Sequence, residues 1–180
     1  MDAEVNESVI PRPPTLCAGC PHRGFFYELG RRKNVMISGD IGCYALAFGA
    51  PYNAMDTIVC MGASVSLGHG AQQVFDGIEG NKLRVVSVLG DSTFFHSGIS
   101  SLLDVIYNKS NLITVVLDNR VTAMTGQQDN PGTGRTLRGD VTEAVSIEAV
   151  ARALGFTNVR VINPNQLSEV KEALDWALGM

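Results

Sequence analysis

One Val/Leu-rich run ends at Gly90-Asp91 and another at Asp118-Asn119, with one helix's worth of chain between them. A carboxylate, an amide oxygen and a nearby main-chain carbonyl suit a hard octahedral cation such as Mg²⁺, which keeps further positions for phosphate oxygens and water. Gly90 lets the backbone come close to a ligand, and the start of the following helix attracts phosphate. In an open parallel sheet ligands gather outside the carboxyl ends of the strands, and a right-handed crossover makes consecutive strand ends neighbours. The residues alone point to a magnesium–diphosphate site holding Asp91 and Asn119. The competing reading makes Asp91 a helix cap and Asn119 a turn residue.

Other reactive side chains are few. His96 falls five residues after Asp91, at the start of the crossover helix, and is the first candidate for an acid, a base or a substrate donor. His22, beside a CxxC, is the second. Each histidine is equally readable as hydrogen-bonded structure. Cys17 and Cys20 form the CxxC, whereas Cys43 and Cys60 are isolated. Met1 to Arg12 is acidic and then Pro-rich, without the basic and apolar regions of an export signal, so a cytoplasmic protein is expected. Disulfides are not expected there; metal, redox or burial are the readings for the thiols.

The elements that must position these groups follow from periodicity. A length of 180 residues suits one domain, with 45% apolar and 18% charged residues, as in an ordinary globular chain. A formal charge of −4 gives no reason to expect nucleic acid, and no apolar run is long enough to span a membrane. Residues 1–15, with Pro11, Pro13 and Pro14, read as an extended lead-in or linker before a single domain over 16–180. Short strands are expected at 35–37, 57–61, 83–89, 112–117 and 159–162. Helices are expected over 64–77, around a stripe of Ile99, Leu102, Leu103 and Ile106, around Ile147 to Leu154 with Gly155 as the stop, and from about Gln166 with Asn165 as cap. A loop rich in Gly, Asn, Thr and Pro runs from Thr122 to about Val141. Alternating strands and helices give an α/β fold, a mostly parallel sheet with helices on both faces.

Gly-Asp, a helix, and an apolar strand ending in Asn together resemble the diphosphate-binding motif of thiamine-diphosphate enzymes. The resemblance implies that Asp91, Asn119 and the carbonyl of Val121 hold Mg²⁺. Ser92 stands where that motif usually has a second glycine, and its hydroxyl suits a phosphate oxygen. The segments TLCAGCPHRGFFYEL (15–29), SGDIGCYAL (38–46), CMGASVSLGHG (60–70), GDSTFFHSGI (90–99) and LDNRVTAMTGQQDNP (117–131) resemble, in order, the large subunit of indolepyruvate:ferredoxin oxidoreductase. This family of 2-oxoacid:ferredoxin oxidoreductases carries out oxidative decarboxylation of an aryl 2-oxo acid, with coenzyme A as acyl acceptor and ferredoxin as electron acceptor. The resemblance further implies that Gly42 and Cys43 lie near the coenzyme, and that Thr125, Gly126 and Gln127 form a loop over the diphosphate.

The same resemblance implies parts that do not fit into 180 residues: a pyrimidine-binding domain or subunit, a ferredoxin-like segment, a second (beta) subunit and an oligomeric assembly. The chain alone is therefore expected to bind coenzyme weakly and not to turn over. In related enzymes a CxxC and a later Cys help to ligate a [4Fe-4S] cluster, a pattern that Cys17, Cys20 and Cys43 fit. No cysteine follows Cys60 here, so buried or free thiols stand as the other reading. Two alternatives in function are a non-oxidative thiamine-diphosphate-dependent decarboxylase subunit and a non-catalytic domain that retains the fold.

Overall fold

The computed structural model describes Ile10 and residues 12–179; the rest of the expected lead-in, 1–9 and 11, and Met180 lie outside the described residues. Five helices are named here: α1 (His22–Leu29), α2 (Ala63–Asp76), α3 (Ile99–Tyr107), α4 (Ile147–Leu154) and α5 (Leu167–Leu178). The strands are β1 (Val35–Gly39), β2 (Thr57–Ile58), β3 (Arg84–Gly90) and β4 (Ile113–Leu117). They form one parallel sheet in the order β2-β1-β3-β4. The expected α/β architecture is therefore the observed one.

Strand β3 shows why both faces must be covered. Its residues Val86 and Val88 enter a core with Phe25, Phe26 and Leu29 of α1 and Val170 and Leu174 of α5. Val85 and Leu89, pointing the other way, join Val65 of α2 with Leu102 and Val105 of α3. Such a strand, apolar on both faces, fits only between helical layers. Contact on α3 is made at three-residue steps through Leu102 and Val105; Leu103, turned about 100° from Leu102, is exposed.

Helix α2 lies so close to β3 that a Cβ on Gly68 would overlap the Ser87 hydroxyl, with Leu112 Cδ1 3.1 Å away. That hydroxyl donates to the Ser64 carbonyl at 2.8 Å. Gly68→Ala is expected to lower the unfolding free energy by about 1–3 kcal/mol, because overpacking outweighs the gain in helix propensity. Removing the hydroxyl with Ser87→Ala should recover part of that loss, so urea unfolding of the double-mutant cycle should show favourable coupling. Additive effects would mean that the helix simply moves away.

Three expected elements differ. The second strand is paired only at Thr57–Ile58, because the carbonyl of Cys60 already accepts from Ala63 in the turn into α2. Residues 159–162 form no strand: the Val159 carbonyl is taken by the Arg152 guanidinium at 3.3 Å, while Ile162 packs on the first core. At α5 the cap position is Gln166, not Asn165, and the Asn163 N–H donates to the Glu169 carboxylate at 2.9 Å. Gly155 does stop α4, at φ 112 in the left-handed region that glycine adopts readily.

Candidate functional site

After β1 the chain leaves to pair β2 on one side and returns to β3 on the other, so the strand order reverses between β1 and β3. A crevice opens at such a switch point, outside the carboxyl ends of the strands. Here it is a cavity of about 130 Å³ whose wall comes from every strand end. Ile41 to Tyr44 follow β1, Met61 follows β2, Gly90 to Thr93 close β3, and Asn119 and Val121 to Thr125 follow β4. Because Gly90 pairs in register with Leu117, Asp91 and Asp118 leave adjacent strands side by side, with Asn119 one residue further on.

Asp91 is 3% exposed. Its Oδ1 accepts from the Ser92 N–H at 2.8 Å and its Oδ2 from the Asn130 amide at 3.1 Å. Burial raises its carboxyl above the ordinary carboxylate value; the Asn130 and Ser92 hydrogen bonds oppose that shift and the nearby Asp118 charge adds to it. The Asn119 side chain is exposed and accepts from the Val121 N–H at 3.2 Å. Asp91 and Asn119 therefore do have turn and cap partners, and both also line the cavity. The Thr122 hydroxyl donates to the Ser92 hydroxyl at 2.8 Å, tying the loop after β4 to the end of β3. Tyr44 fills the floor: a Cβ on Gly90 would come within 2.8 Å of its ring, so the two glycines Gly42 and Gly90 make room for it. Burial pushes the Tyr44 phenol up to about 12.

The donor set fits a hard cation with a phosphate ligand. It consists of oxygens: the Asp91 carboxylate, the Asn119 amide, the Val121 carbonyl and the Ser92 hydroxyl. Among the described lining residues none is Lys or Arg, and Asp118 lies within electrostatic reach of Asp91. A polyanion entering beside two carboxylates needs a compensating cation.

Of the residues expected at the site, Gly42, Cys43, Gly90, Asp91, Ser92, Asn119, Val121 and Thr125 all line this cavity; Gly126, Gln127 and His96 are not among its lining residues. Gly126 and Gln127 turn the loop at φ 123 and 62, inside a bridge between Thr122 and Gln128. His96 sits in a π-helical turn, Phe94–Gly98, that joins Asp91 to α3, and is exposed there. His22 lines the cavity instead. The four cysteines are not gathered: the described residues hold no group of three or more His, Cys, Asp or Glu side chains placed to share a metal.

Asn130 is the partner that spacing did not reveal. It is 7% exposed and backs Asp91, to which it donates while its Oδ1 accepts from the Gly132 N–H at 2.8 Å. Asn130→Ala is expected to cost about 1–3 kcal/mol of stability, since it leaves buried polar groups unpaired. Asn130→Asp should cost more, because it sets a second carboxylate against Asp91. Urea unfolding of the two variants at neutral pH gives the order; a milder effect for Asp would contradict the contact.

A parallel sheet with a largely apolar crevice at its switch point, into which a few oxygen side chains are set, marks an α/β domain of the ligand-holding class. The chain belongs to the family of thiamine pyrophosphate enzymes, as their C-terminal TPP binding domain, whose model matches residues 40–180. It is 42% identical to indolepyruvate oxidoreductase subunit IorA of Pyrococcus horikoshii over 97% of this chain and 28% of that protein. To the IorA subunit of Archaeoglobus fulgidus it is 39% identical, over 94% of this chain and 27% of that protein. The chain thus spans little more than a quarter of the length of these relatives. Among solved structures, 2-oxoglutarate:ferredoxin oxidoreductase from Magnetococcus marinus superposes with a TM-score of 0.78 at 18% identity, covering 97% of this chain and 62% of that one. Benzoylformate decarboxylase from Polynucleobacter necessarius superposes with a TM-score of 0.61 at 15% identity, covering 95% and 33%. At these identities the structures speak for the fold alone.

Proposed function

We propose that residues 16–180 are the diphosphate-holding domain of a 2-oxoacid:ferredoxin oxidoreductase of the indolepyruvate type. The whole enzyme would oxidatively decarboxylate an aryl 2-oxo acid in the cytoplasm, with coenzyme A as acyl acceptor and ferredoxin as electron acceptor. The observation that carries this reading is a buried carboxylate, Asp91, that shares with Asn119 a crevice whose described lining has no Lys or Arg. The 42% identity to IorA supports the substrate class.

Asp91, Asn119 and the Val121 carbonyl would hold Mg²⁺. Gly42, Cys43, Gly90 and Ser92 would shape the diphosphate pocket, with Thr125, Gly126 and Gln127 in the loop that closes it. Thiamine diphosphate, when bound, supplies the electron sink for the pair left behind by CO₂. The chain's own work is to bind the diphosphate, fix its orientation and exclude water. His96, exposed on its π turn, is assigned to the substrate side rather than to coenzyme binding. The pyrimidine half of the coenzyme would be held by a further domain or subunit, with the beta subunit completing an oligomer.

Titration of the chain with thiamine diphosphate in the presence and absence of Mg²⁺, followed by amide NMR, tests this. Mg²⁺-dependent shifts confined to residues around the strand ends are expected. Binding that ignores Mg²⁺, or shifts elsewhere, would count against the assignment.

A further inference from the structure

His22 opens α1, is 6% exposed, and borders the cavity at the strand ends. Its Nδ1 is shut off from solvent and has no hydrogen-bond partner among the described residues. An enclosed Nδ1 with no acceptor beside it is best left without a proton, which places the proton of the neutral ring on Nε2. Neighbouring groups are already engaged. The Cys20 carbonyl accepts from the Arg23 N–H at 3.2 Å, the Cys17 carbonyl from the Cys20 N–H at 3.1 Å, and the Tyr52 hydroxyl from the Arg23 guanidinium at 2.7 Å.

Beyond the Ser92 hydroxyl, the cavity is short of side-chain donors. His22 is the one basic side chain among its described lining residues. The Thr125 hydroxyl is given to Gln128 Oε1 at 2.6 Å, and that of Thr122 to Ser92 at 2.8 Å. Asp91 and Asp118, the charges that face His22, are carboxylates and supply no donor. A diphosphate presents several anionic oxygens, and a metal at Asp91 leaves some of them to be met by the wall opposite.

We propose that His22 donates its Nε2–H to a phosphate oxygen of the bound coenzyme's diphosphate, an assignment that rests on reading this cavity as a magnesium–diphosphate site. His22 is thereby a binding residue, joining α1 to a site otherwise built from strand ends. Nothing in its role depends on the 2-oxo acid.

The test uses the 180-residue chain with three probes: Mg²⁺–thiamine diphosphate, Mg²⁺–pyrophosphate, and indolepyruvate added after the coenzyme. His22→Ala should weaken both diphosphate probes by about tenfold or more, and His22→Gln, which retains a donor, should recover part of that loss. In the wild-type chain the His22 side-chain nitrogen resonances should shift with Mg²⁺–pyrophosphate alone, a readout that needs no variant to fold. Equal affinity of wild type and His22→Ala, unmoved His22 resonances, or a defect seen only with indolepyruvate would each overturn the assignment. If the wild-type chain binds neither diphosphate probe, the magnesium–diphosphate reading itself falls; if wild type binds and His22→Ala binds equally, only the role of His22 does.

Discussion

Asp91→Ala and Asp91→Asn are expected to abolish the response to Mg²⁺ and thiamine diphosphate while leaving the fold intact. A ligand present at about a hundred times its dissociation constant adds about 2.7 kcal/mol to the stability of the form that binds it. For a chain of this size that is a rise in Tm of roughly 5–10 °C, and either variant should lose it. Removing one member of a buried, charge-paired set costs several kcal/mol, so affinity should fall by about a hundredfold or more. In the unliganded protein the charge of Asp91 has an effect of the opposite sign. Burial raises the carboxyl's pKa, so its ionised form is less favoured in the fold than in the unfolded chain. That contribution is favourable below the unfolded pKa and is lost as pH rises through the folded one, so at neutral pH the carboxylate weakens the unliganded fold. Asp91→Asn keeps the volume and removes the charge but sets an amide against the Asn130 amide donor, so the two effects oppose and it should unfold within about 1 kcal/mol of wild type. An Asp91→Asn protein stabilised by Mg²⁺–thiamine diphosphate as much as wild type would show that Asp91 is a structural cap and nothing more.

The parts of this site that could be read from sequence are those that local spacing encodes. Asp91 and Asn119 sit at the ends of strands whose apolar runs are visible, and one crossover separates them, so their juxtaposition follows from the topology of parallel sheets. Gly42 and Cys43 entered through resemblance, and the cavity wall contains both. What spacing cannot encode is a contact made by a loop or helix that returns from elsewhere. Asn130 reaches Asp91 across 39 positions of sequence. His22 reaches the crevice from a helix that precedes the first strand. The histidine that spacing favoured, His96, depends on where a turn points its side chain, and the π turn at Phe94–Gly98 puts it in solvent. A π turn leaves no mark in hydrophobic periodicity over five residues. The missing strand at 159–162 has a similar cause: four residues of the right type do not pair when a guanidinium already holds one of their carbonyls.

The dipeptide Gly-Asp occurs at two adjacent strand ends, as Gly39-Asp40 and Gly90-Asp91, and the two have opposite roles. Asp40 is fully buried. Its Oδ1 accepts from the Ile41 N–H at 2.7 Å and the Gly62 N–H at 2.8 Å, and its Oδ2 from the Ser64 N–H at 3.1 Å. It thus serves as the cap of α2 from across the sheet, because the cap position itself is Gly62, at φ 85, where there is no side chain to do it. Asp40→Ala leaves three backbone donors without a partner beside the crevice. At about 1–3 kcal/mol for each buried orphan, and allowing for some relaxation, a loss of roughly 3–5 kcal/mol is expected. That is a large share of the 5–15 kcal/mol typical of a domain. Asp40→Asn keeps one acceptor oxygen but sets an amide against a donor, and should fall between the alanine variant and wild type. Urea unfolding of the unliganded proteins separates the two aspartates: Asp40→Asn should lose more stability than Asp91→Asn, because three backbone N–H groups depend on Asp40. Were Asp40→Ala to unfold within about 1 kcal/mol of wild type, the helix would be finding its cap elsewhere. Ile41 to Tyr44, which Asp40 ties to the start of α2, would then owe their place in the cavity wall to other contacts.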